Sequence, residues 1–523
     1  MIGYERDTIN LMREGQDKYA PLARFSTRHE IEKTYSHLSE SQRRAVGQIL
    51  SSQDQMTALE GVAGAGKTTS LKAIREAAER EGYWVQGFAP TSRAAQKLAE
   101  AGIVSSTLQR HLARGDQTQV ARNCFYVLDE SSFASTRQMN EFFHRLRKDD
   151  RVLLVGDTRQ HEAVEAGRPY HQLKEAGIQT ARLDEIVRQK DPELKAVVEQ
   201  LSRGQIREAI EKLDAQGRVH EIFNHDDRIA AIAWEYVKQP GGTLVVSPDN
   251  LSRAQLNKAI HYARQDSGQM PYHEYGLKVL VTRQEISGAD RQWAAQYEPG
   301  NVVRYAKGGK SLGIAPGEYA RVESIEEKEN LVTVERTNGQ RVSYDPRRLQ
   351  GVTLYREEQQ EFSEGDRVQF TAPNREQRVA NRELGTIEKI DASGDFRIRL
   401  DSGRAVAFNI RENPHLDHGY AVTSHSSQGQ TADRVLIHVD TEAGEKLVNR
   451  RMAYVAVSRG RYDAQIYTND KTQLADGLGR DVSHRSAIEP SPEPPSVTPK
   501  IDSSPVRTQT EEQTRAEGHS VSR

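Results

Sequence analysis

Cysteine is nearly absent from this chain. One residue, Cys124, stands among 523, which excludes a disulfide framework and leaves no thiolate set for a structural zinc site; at the edge of the apolar run CFYVL it reads as a packed core thiol. Long apolar runs are missing too. Hydrophobic residues make up 36%, no stretch approaches the about 18 apolar residues of a membrane helix, and the N-terminus, MIGYERDTINLMREGQDKYA, has no apolar signal core. A cytoplasmic protein without a membrane span is the expectation. Charge of one sign is also lacking: the net charge of −2 excludes a uniformly basic nucleic-acid coat, while leaving room for a local groove built from stacking and short basic tracks.

The length points to about three or four folded units. From Leu38 to Gly156, helical periods alternate with short apolar runs, as in a parallel sheet covered by helices. MTALE (56–60), WVQGFAP (84–90), FYVLDE (125–130) and RVLLVGD (151–157) predict strands, and LKAIREAAERE (71–81) and SRAAQKLAEA (92–101) predict helices. A second α/β set follows at HEIF (220–223), GTLVVSPDN (242–250) and RAQLNKAIHYAR (253–264). Residues 297–411 turn to short alternating runs and turn dipeptides, the pattern of small barrels. They contain an internal repeat: YEPGNVVRYA and FSEGDRVQFT share a frame, as do VTVERTNGQRVSYD and FRIRLDSGRAVAFN. Gly300 and Gly365 are offset by 65 positions (365 − 300), and Asn338-Gly339 and Ser402-Gly403 mark a hairpin turn in each copy. The α/β pattern resumes at GYAVTSHSSQGQT (419–431). From Asp476 onward, six prolines between Pro490 and Pro505 and few large apolar side chains predict a disordered tail.

GVAGAGKT, Gly61 to Thr68, satisfies G-x-x-x-x-G-K-[ST] between a strand and a helix. Backbone N–H groups of such a loop form a nest for phosphate oxygens, which makes Gly61, Ala63, Gly64, Ala65, Gly66, Lys67, Thr68 and Thr69 the nucleotide-binding candidates. Lys67 adds charge at the β- and γ-phosphates, and the Thr68 hydroxyl suits Mg2+. ATP and Mg2+ are the implied cofactors. Asp129 and Glu130, at the end of FYVLDE, offer a metal carboxylate and a base that orients and deprotonates water. Gln160, in VGDTRQ, either contacts a γ-phosphate or caps the next helix. Gln42 completes a capping box with Ser39, and its amide can equally read an adenine edge.

LSESQ, GVAGAGKT, APTSRAAQKL, VLDESS, VGDTRQ, EIVRQ (185–189), TSHSSQGQT (423–431) and YVAVSRGR (454–461) fall in the order of the superfamily 1 helicase motifs. Across about residues 1–475 the chain resembles the RecD-like branch and, within it, the helicase portion of the MobF-type conjugative relaxase-helicases, the TraI/TrwC group. The resemblance implies an α/β architecture of two RecA-like P-loop lobes, the first at 38–178 and the second at 179–296 and 412–475. A tandem SH3-like β-barrel region would be inserted at 297–411, with an N-terminal linker or helical segment at 1–37 and the tail at 476–523. It implies an ATP-dependent helicase or translocase on single-stranded DNA and single-strand/duplex junctions, travelling 5′ to 3′, with conjugation-machinery proteins as partners.

Residue by residue, the resemblance turns Gln42 towards adenine, brings Gly429 close to the nucleotide, and makes Arg188 and Arg459 arginine fingers reaching across from the second lobe. Pro90, Thr91 and Ser92 on one lobe and Thr423, His425, Ser427 and Gln428 on the other would grip DNA. Residues 105–123 would be a duplex-splitting insertion or an ordinary surface loop. His415, His418 and His425 are not expected to hold a metal, because no thiolate joins them and His425 falls inside a helicase motif. No three-histidine relaxase motif is present, and the room before Leu38 is too short for a nuclease domain, so a relaxase half is expected to be lacking. Two other readings use the same motifs: a DNA-binding ATPase switch without processive unwinding, and a RecD-like DNA repair helicase. The presence together of Lys67, Asp129, Glu130, Gln160 and Arg459 disfavours a degenerate copy.

Overall fold

The structure, a computed structural model, describes residues 2–113, 123–160, 167–283, 290–349, 351–374, 376–444 and 447–482. The strands Met56–Gly61, Cys124–Leu128 and Arg151–Gly156 are buried at every position, as strands must be when helices cover both faces of a parallel sheet. They form the middle of a six-stranded sheet in the order 104–107, 84–89, 124–128, 151–156, 56–61, 180–183, with every neighbouring pair parallel. This is a RecA-like lobe, with the glycine loop leaving the carboxyl end of the strand Met56–Gly61. A second parallel sheet runs 421–423, 243–247, 432–439, 460–468, 219–221. One apolar cluster serves both, from Leu59, Leu71 and Leu183 to Val246, Val435 and Ile466, by way of Leu194, Val198 and Leu213 on the helices Pro192–Ser202 and Ile206–Ala215.

Several edges of these units fall elsewhere than the sequence reading put them. Strand Thr180–Leu183 pairs with Met56–Gly61, so the first sheet continues past 178, where the second lobe was expected to begin. Val104–Thr107, at the start of the expected insertion 105–123, is an edge strand on Trp84–Ala89, followed by the helix Leu108–Ala113. Its polar residues Ser105, Ser106 and Thr107 resemble a loop because an edge strand is only half covered. Residues 114–122 lie outside the described residues. Helix Lys471–Gly479 carries the fold beyond 475, since Leu474 and Leu478 bury in the shared cluster; the expected tail lies outside the described residues from 483 onward.

The β region extends to both sides of 297–411. One antiparallel sheet runs 341–344, 331–336, 318–326, 302–305, 352–362, 275–282, and another runs 405–409, 395–400, 384–390, 367–370, 416–418. Five strands repeat in the same order, and each copy breaks register at the matching place, between Val322 and Ser324 and between Ile387 and Lys389. Gly300 and Gly365, at φ +91° and +93°, donate their N–H groups to Val322 O and Ile387 O at 2.8 and 2.9 Å. The two units resemble SH3-like barrels in tandem.

One position sets the copies apart. At the shared turn, Asn301 Oδ1 accepts from Glu298 N (3.3 Å) and Arg283 Nη1 (2.9 Å). Asp366 stands in its place in the second copy and takes Ser363 N (2.7 Å), Tyr420 Oη (2.5 Å) and His261 Nδ1 (2.7 Å). His261 comes from the helix Asn250–Asp266, which packs on the second parallel sheet, and its Nε2 meets Glu274 at 3.0 Å. A carboxylate on each ring nitrogen fits the imidazolium form. Burial alone would lower the His261 pKa, and the Asp366 and Glu274 contacts raise it above its ordinary value. Burial alone would raise Asp366, and His418 and His261 hold it far below the usual carboxylate range.

This knot has a definite pH window. The His261 contribution is complete below about pH 6.5, its unfolded value, and is lost as pH rises through the raised folded value. The Asp366 contribution is present above about pH 3.9 and is lost as pH falls below it. Chemical denaturation of the wild type is expected to show falling stability from pH 6 upwards, with a flatter profile in His261→Gln. Removing one member of a buried pair costs about 3–5 kcal/mol, the loss expected for His261→Ala at pH 6.

Candidate functional site

The glycine loop owes its shape to two residues in the left-handed region. Gly64 has φ +85° and Gly66, which begins the helix Lys67–Arg80, has φ +75°. A Cβ on Gly64 would lie 2.6 Å from Arg188 Cβ, and one on Gly66 would lie 2.3 Å from Gln42 Nε2. Only glycine fits either place. Within the loop Lys67 Nζ donates to Gly61 O at 2.5 Å, while Thr68 opens the helix with its side chain exposed.

Gln42 completes the capping box with Ser39, its Oε1 accepting from Ser39 N at 3.0 Å. Its Nε2 donates to Ala65 O (3.2 Å) and Gly66 O (3.5 Å). The amide therefore braces the loop from beneath, a role the sequence did not suggest.

At the end of the strand Cys124–Leu128, Asp129 Oδ1 accepts from Glu130 N at 2.9 Å, and Glu130 takes φ +50°, unusual for a residue with a side chain. Lys67, Asp129 and Glu130 keep part of their surface open to the cleft while its walls exclude most of the surrounding water. Desolvation raises Asp129, with Lys67 opposing. It raises Glu130 too, and adjacent Asp129 adds to the rise, to about 7. Desolvation lowers Lys67 against the pull of Asp157 and Asp129.

Arg459 is 1% exposed. Its guanidinium donates to Val455 O (2.8 Å), Ser458 Oγ (2.8 Å) and Gln430 O (3.4 Å). Burial and the neighbouring Arg188 bring it down to about 9. Arg188 does not reach over from the second lobe as expected. It lies on the connector that follows the first sheet, where its backbone N–H donates to Gly64 O (3.1 Å) and its Nη1 to Ser458 O (2.7 Å). Gln189 Nε2 adds bonds to Ser458 O and Gly460 O at 3.1 and 2.7 Å, so this connector is the seam between the two sheets.

Gln160 is buried, with Nε2 on Asp157 Oδ2 (2.9 Å) and its carbonyl taking Arg451 Nη1 (2.7 Å). Asp157 Oδ2 also accepts from Tyr454 Oη (3.1 Å), and Tyr454 Oη accepts from Ala63 N (2.6 Å). Gly429 is close by: a Cβ there would lie 3.5 Å from Lys97 Nζ and 3.8 Å from Glu130 Oε1. Sequence reasoning missed Asp157, Tyr454, Lys97 and Gln189, although each lies inside a quoted motif. Their polar groups at strand ends or one helical turn from a nominated residue were the available signal.

The expected DNA residues divide. Thr91 caps the helix Ser92–Glu100 through Ala94 N (3.2 Å), and both Thr91 and Ser92 are exposed beside Pro90 at the end of the strand Trp84–Ala89. His425 is exposed, and Gln428 Oε1 is buried without a hydrogen-bond partner. Ser427 is fully buried and its hydroxyl donates to Ser424 O (2.7 Å), so it is closed to any ligand. Thr423 is buried too and caps the same turn through Ser426 N (3.3 Å). His415 Nε2 meets Tyr319 Oη (2.6 Å), whereas His418 stands with His261 and Asp366, where His261 already has both nitrogens on carboxylates.

Residues 37–224 match the AAA domain family, and residues 418–465 match the UvrD-like helicase C-terminal domain family. The glycine loop and Arg459 each fall inside one of these matches. These matches relate the chain to superfamily 1 P-loop helicases of the TraI and RecD2 type. Its glycine loop is that of an ATP-binding P-loop protein. It is 26% identical to the multifunctional conjugation protein TraI of Escherichia coli over 94% of its own length and 30% of that protein. It is 34% identical to the ATP-dependent RecD2 DNA helicase of Deinococcus radiodurans over 30% of its length and 23% of that protein. The chain thus spans less than a third of these relatives. Among solved structures it is similar to Pif1 helicase from Candida albicans, at 14% identity and a TM-score of 0.46 over 84% of this chain and 96% of that one, too loose a likeness to carry weight. Among the described residues no helix is long and apolar enough to cross a membrane.

Gly64→Ala is expected to cost about 1–3 kcal/mol through left-handed strain alone, and more through the clash with Arg188, read as a fall in the urea midpoint.

Proposed function

We propose that the chain is an ATP-driven motor that hydrolyses ATP in the cleft between the two parallel sheets, travels 5′ to 3′ on single-stranded DNA and unwinds duplex at single-strand/duplex junctions in a conjugative transfer system. The observation that carries the reading is the meeting of Lys67, Glu130, Arg188 and Arg459 in one desolvated cleft, although 329 positions separate Glu130 from Arg459 (459 − 130). Buried cations of this kind suit an anionic ligand, and the cradle at Gly64 and Gly66 suits phosphate.

Thr68 and Asp129 present the hard oxygen donors that Mg2+ prefers, and the ion would neutralise phosphate charge. Lys67 and the amides of Ala63, Gly64, Ala65, Gly66, Thr68 and Thr69 bind phosphate oxygens. Glu130 takes the proton of the attacking water, Gln160 orients that water, and Arg188 and Arg459 stabilise charge on the transferring group. Gln42 would face adenine by giving up its longer bond, to Gly66 O. Pro90, Thr91 and Ser92 at one sheet and His425 and Gln428 at the other supply the DNA grips, with Thr423 and Ser427 shaping the second from inside. The conjugative setting is supported by relatives named for conjugation, TraI and TraA, and the direction only by the resemblance to the RecD-like branch.

Forked duplexes with a 5′ or a 3′ tail test this directly. ATP-dependent displacement from the 5′ tail is expected, falling about 100-fold or more in Lys67→Ala, the scale of losing one transition-state charge contact. Equal activity in Lys67→Ala would reject the motor, and DNA-stimulated hydrolysis without displacement would mean a switch. Because Glu130 acts deprotonated, kcat for ATP should rise with pH through a midpoint near 7, and Glu130→Gln should abolish that limb along with most of the rate.

A further inference from the structure

Tyr454 occupies a position that the ATPase reading does not use. It lies on the helix Arg450–Val457, is 1% exposed, and carries the one side-chain hydroxyl that joins this helix to the glycine loop among the described residues. Its Oη accepts from Ala63 N at 2.6 Å and donates to Asp157 Oδ2 at 3.1 Å. Asp157 Oδ2 also holds Gln160 Nε2 at 2.9 Å, and Arg451 Nη1, one turn earlier on the same helix, holds Gln160 O at 2.7 Å. A continuous hydrogen-bonded path therefore leads from a loop amide to the residue placed beside the attacking water and back to the second sheet's helix.

We propose that Tyr454 is a positioning residue that senses occupancy of the phosphate loop and passes it to the helix Arg450–Val457. The Ala63 N–H has room for one strong acceptor. Here that acceptor is Tyr454 Oη; with nucleotide bound it is a phosphate oxygen, a charged and stronger acceptor. Nucleotide binding thus withdraws one of the two bonds on Tyr454 and leaves it held by Asp157 alone, next to Gln160. The two ligands of one N–H compete, so the coupling acts equally in both directions. The inference rests on nucleotide binding at this loop and deepens the proposed function, without requiring DNA unwinding.

Tyr454→Phe keeps the ring and removes only the hydroxyl. Without the competitor, a fluorescent ATP analogue should bind roughly fivefold tighter, the low end of allosteric coupling, and KM for ATP should fall alongside. With Asp157 no longer tied to the helix and Gln160 held to it by Arg451 alone, single-strand-stimulated kcat should fall about tenfold. Weaker binding or unchanged affinity would overturn the proposal, as would a kcat loss with KM unmoved, which is what a merely structural tyrosine gives. The binding readout keeps its meaning if wild type proves not to hydrolyse ATP, a result that would sink the proposed function separately. Should Tyr454→Phe fail to fold, hydrogen–deuterium exchange on wild type decides. The non-hydrolysable analogue should protect residues 61–69 and increase exchange in 450–457; protection of both segments would overturn the coupling.

Discussion

Charge brought out of water is the constraint on which the cleft depends. Lys67, Arg188 and Arg459 stand with Asp129, Glu130 and Asp157 where little solvent reaches. None of these groups is stable there alone, because an uncompensated buried charge costs several kcal/mol. Their mutual neutralisation requires both sheets: the acids and Lys67 come from strand ends and the helix start of the first, Arg459 from the helix end of the second, and Arg188 from the seam between them. The displaced proton affinities of Glu130 and Arg459 express the same crowding from the two signs. A polyanion entering this cleft would change the balance across the whole group, which is why one ligand can act on both halves of the molecule.

Hydrogen bonds then turn this charge balance into a fixed geometry. Backbone carbonyls at 458 and 460 are the acceptors for Arg188 and Gln189, and Gly64 O is the acceptor for Val187 and Arg188 N–H. The connector is thereby pinned to the glycine loop on one side and to the Arg459 turn on the other. Tyr454 adds a second crossing through Asp157. The duplicated barrels sit outside this circuit but are not loosely attached. Replacing Asn301 by Asp366 at the equivalent turn lets the second copy pair with His261 and Tyr420, and Tyr420 directly precedes the strand Ala421–Thr423 that leads to His425 and Gln428.

Much of the fold was legible in the residues. Four strands of the first sheet, the glycine loop, the capping box at Ser39 and Gln42 and the repeat at Gly300 and Gly365 could all be read, because each rests on local periodicity, a φ requirement or a motif of a few residues. The edge strand Val104–Thr107 escaped because half-covered edge positions tolerate serine and threonine as a loop does. Strand Thr180–Leu183 escaped because nothing in four residues says which sheet will take them. The span of the barrels was read too short at both ends, since the strands Tyr275–Thr282 and Leu416–His418 complete sheets whose other members lie far along the chain.

Local chemistry by itself determined that this protein carries a phosphate-binding loop, an acid pair at a strand end and a duplicated β-unit, because hydrogen-bonding shape and backbone freedom are properties of neighbouring residues. Tertiary structure alone decided that Arg188 belongs to the seam, that Ser427 is buried in its own turn, and that Tyr454 accepts from a loop amide. Those facts depend on desolvation and on contacts between segments hundreds of residues apart, and neither quantity exists until the chain has closed.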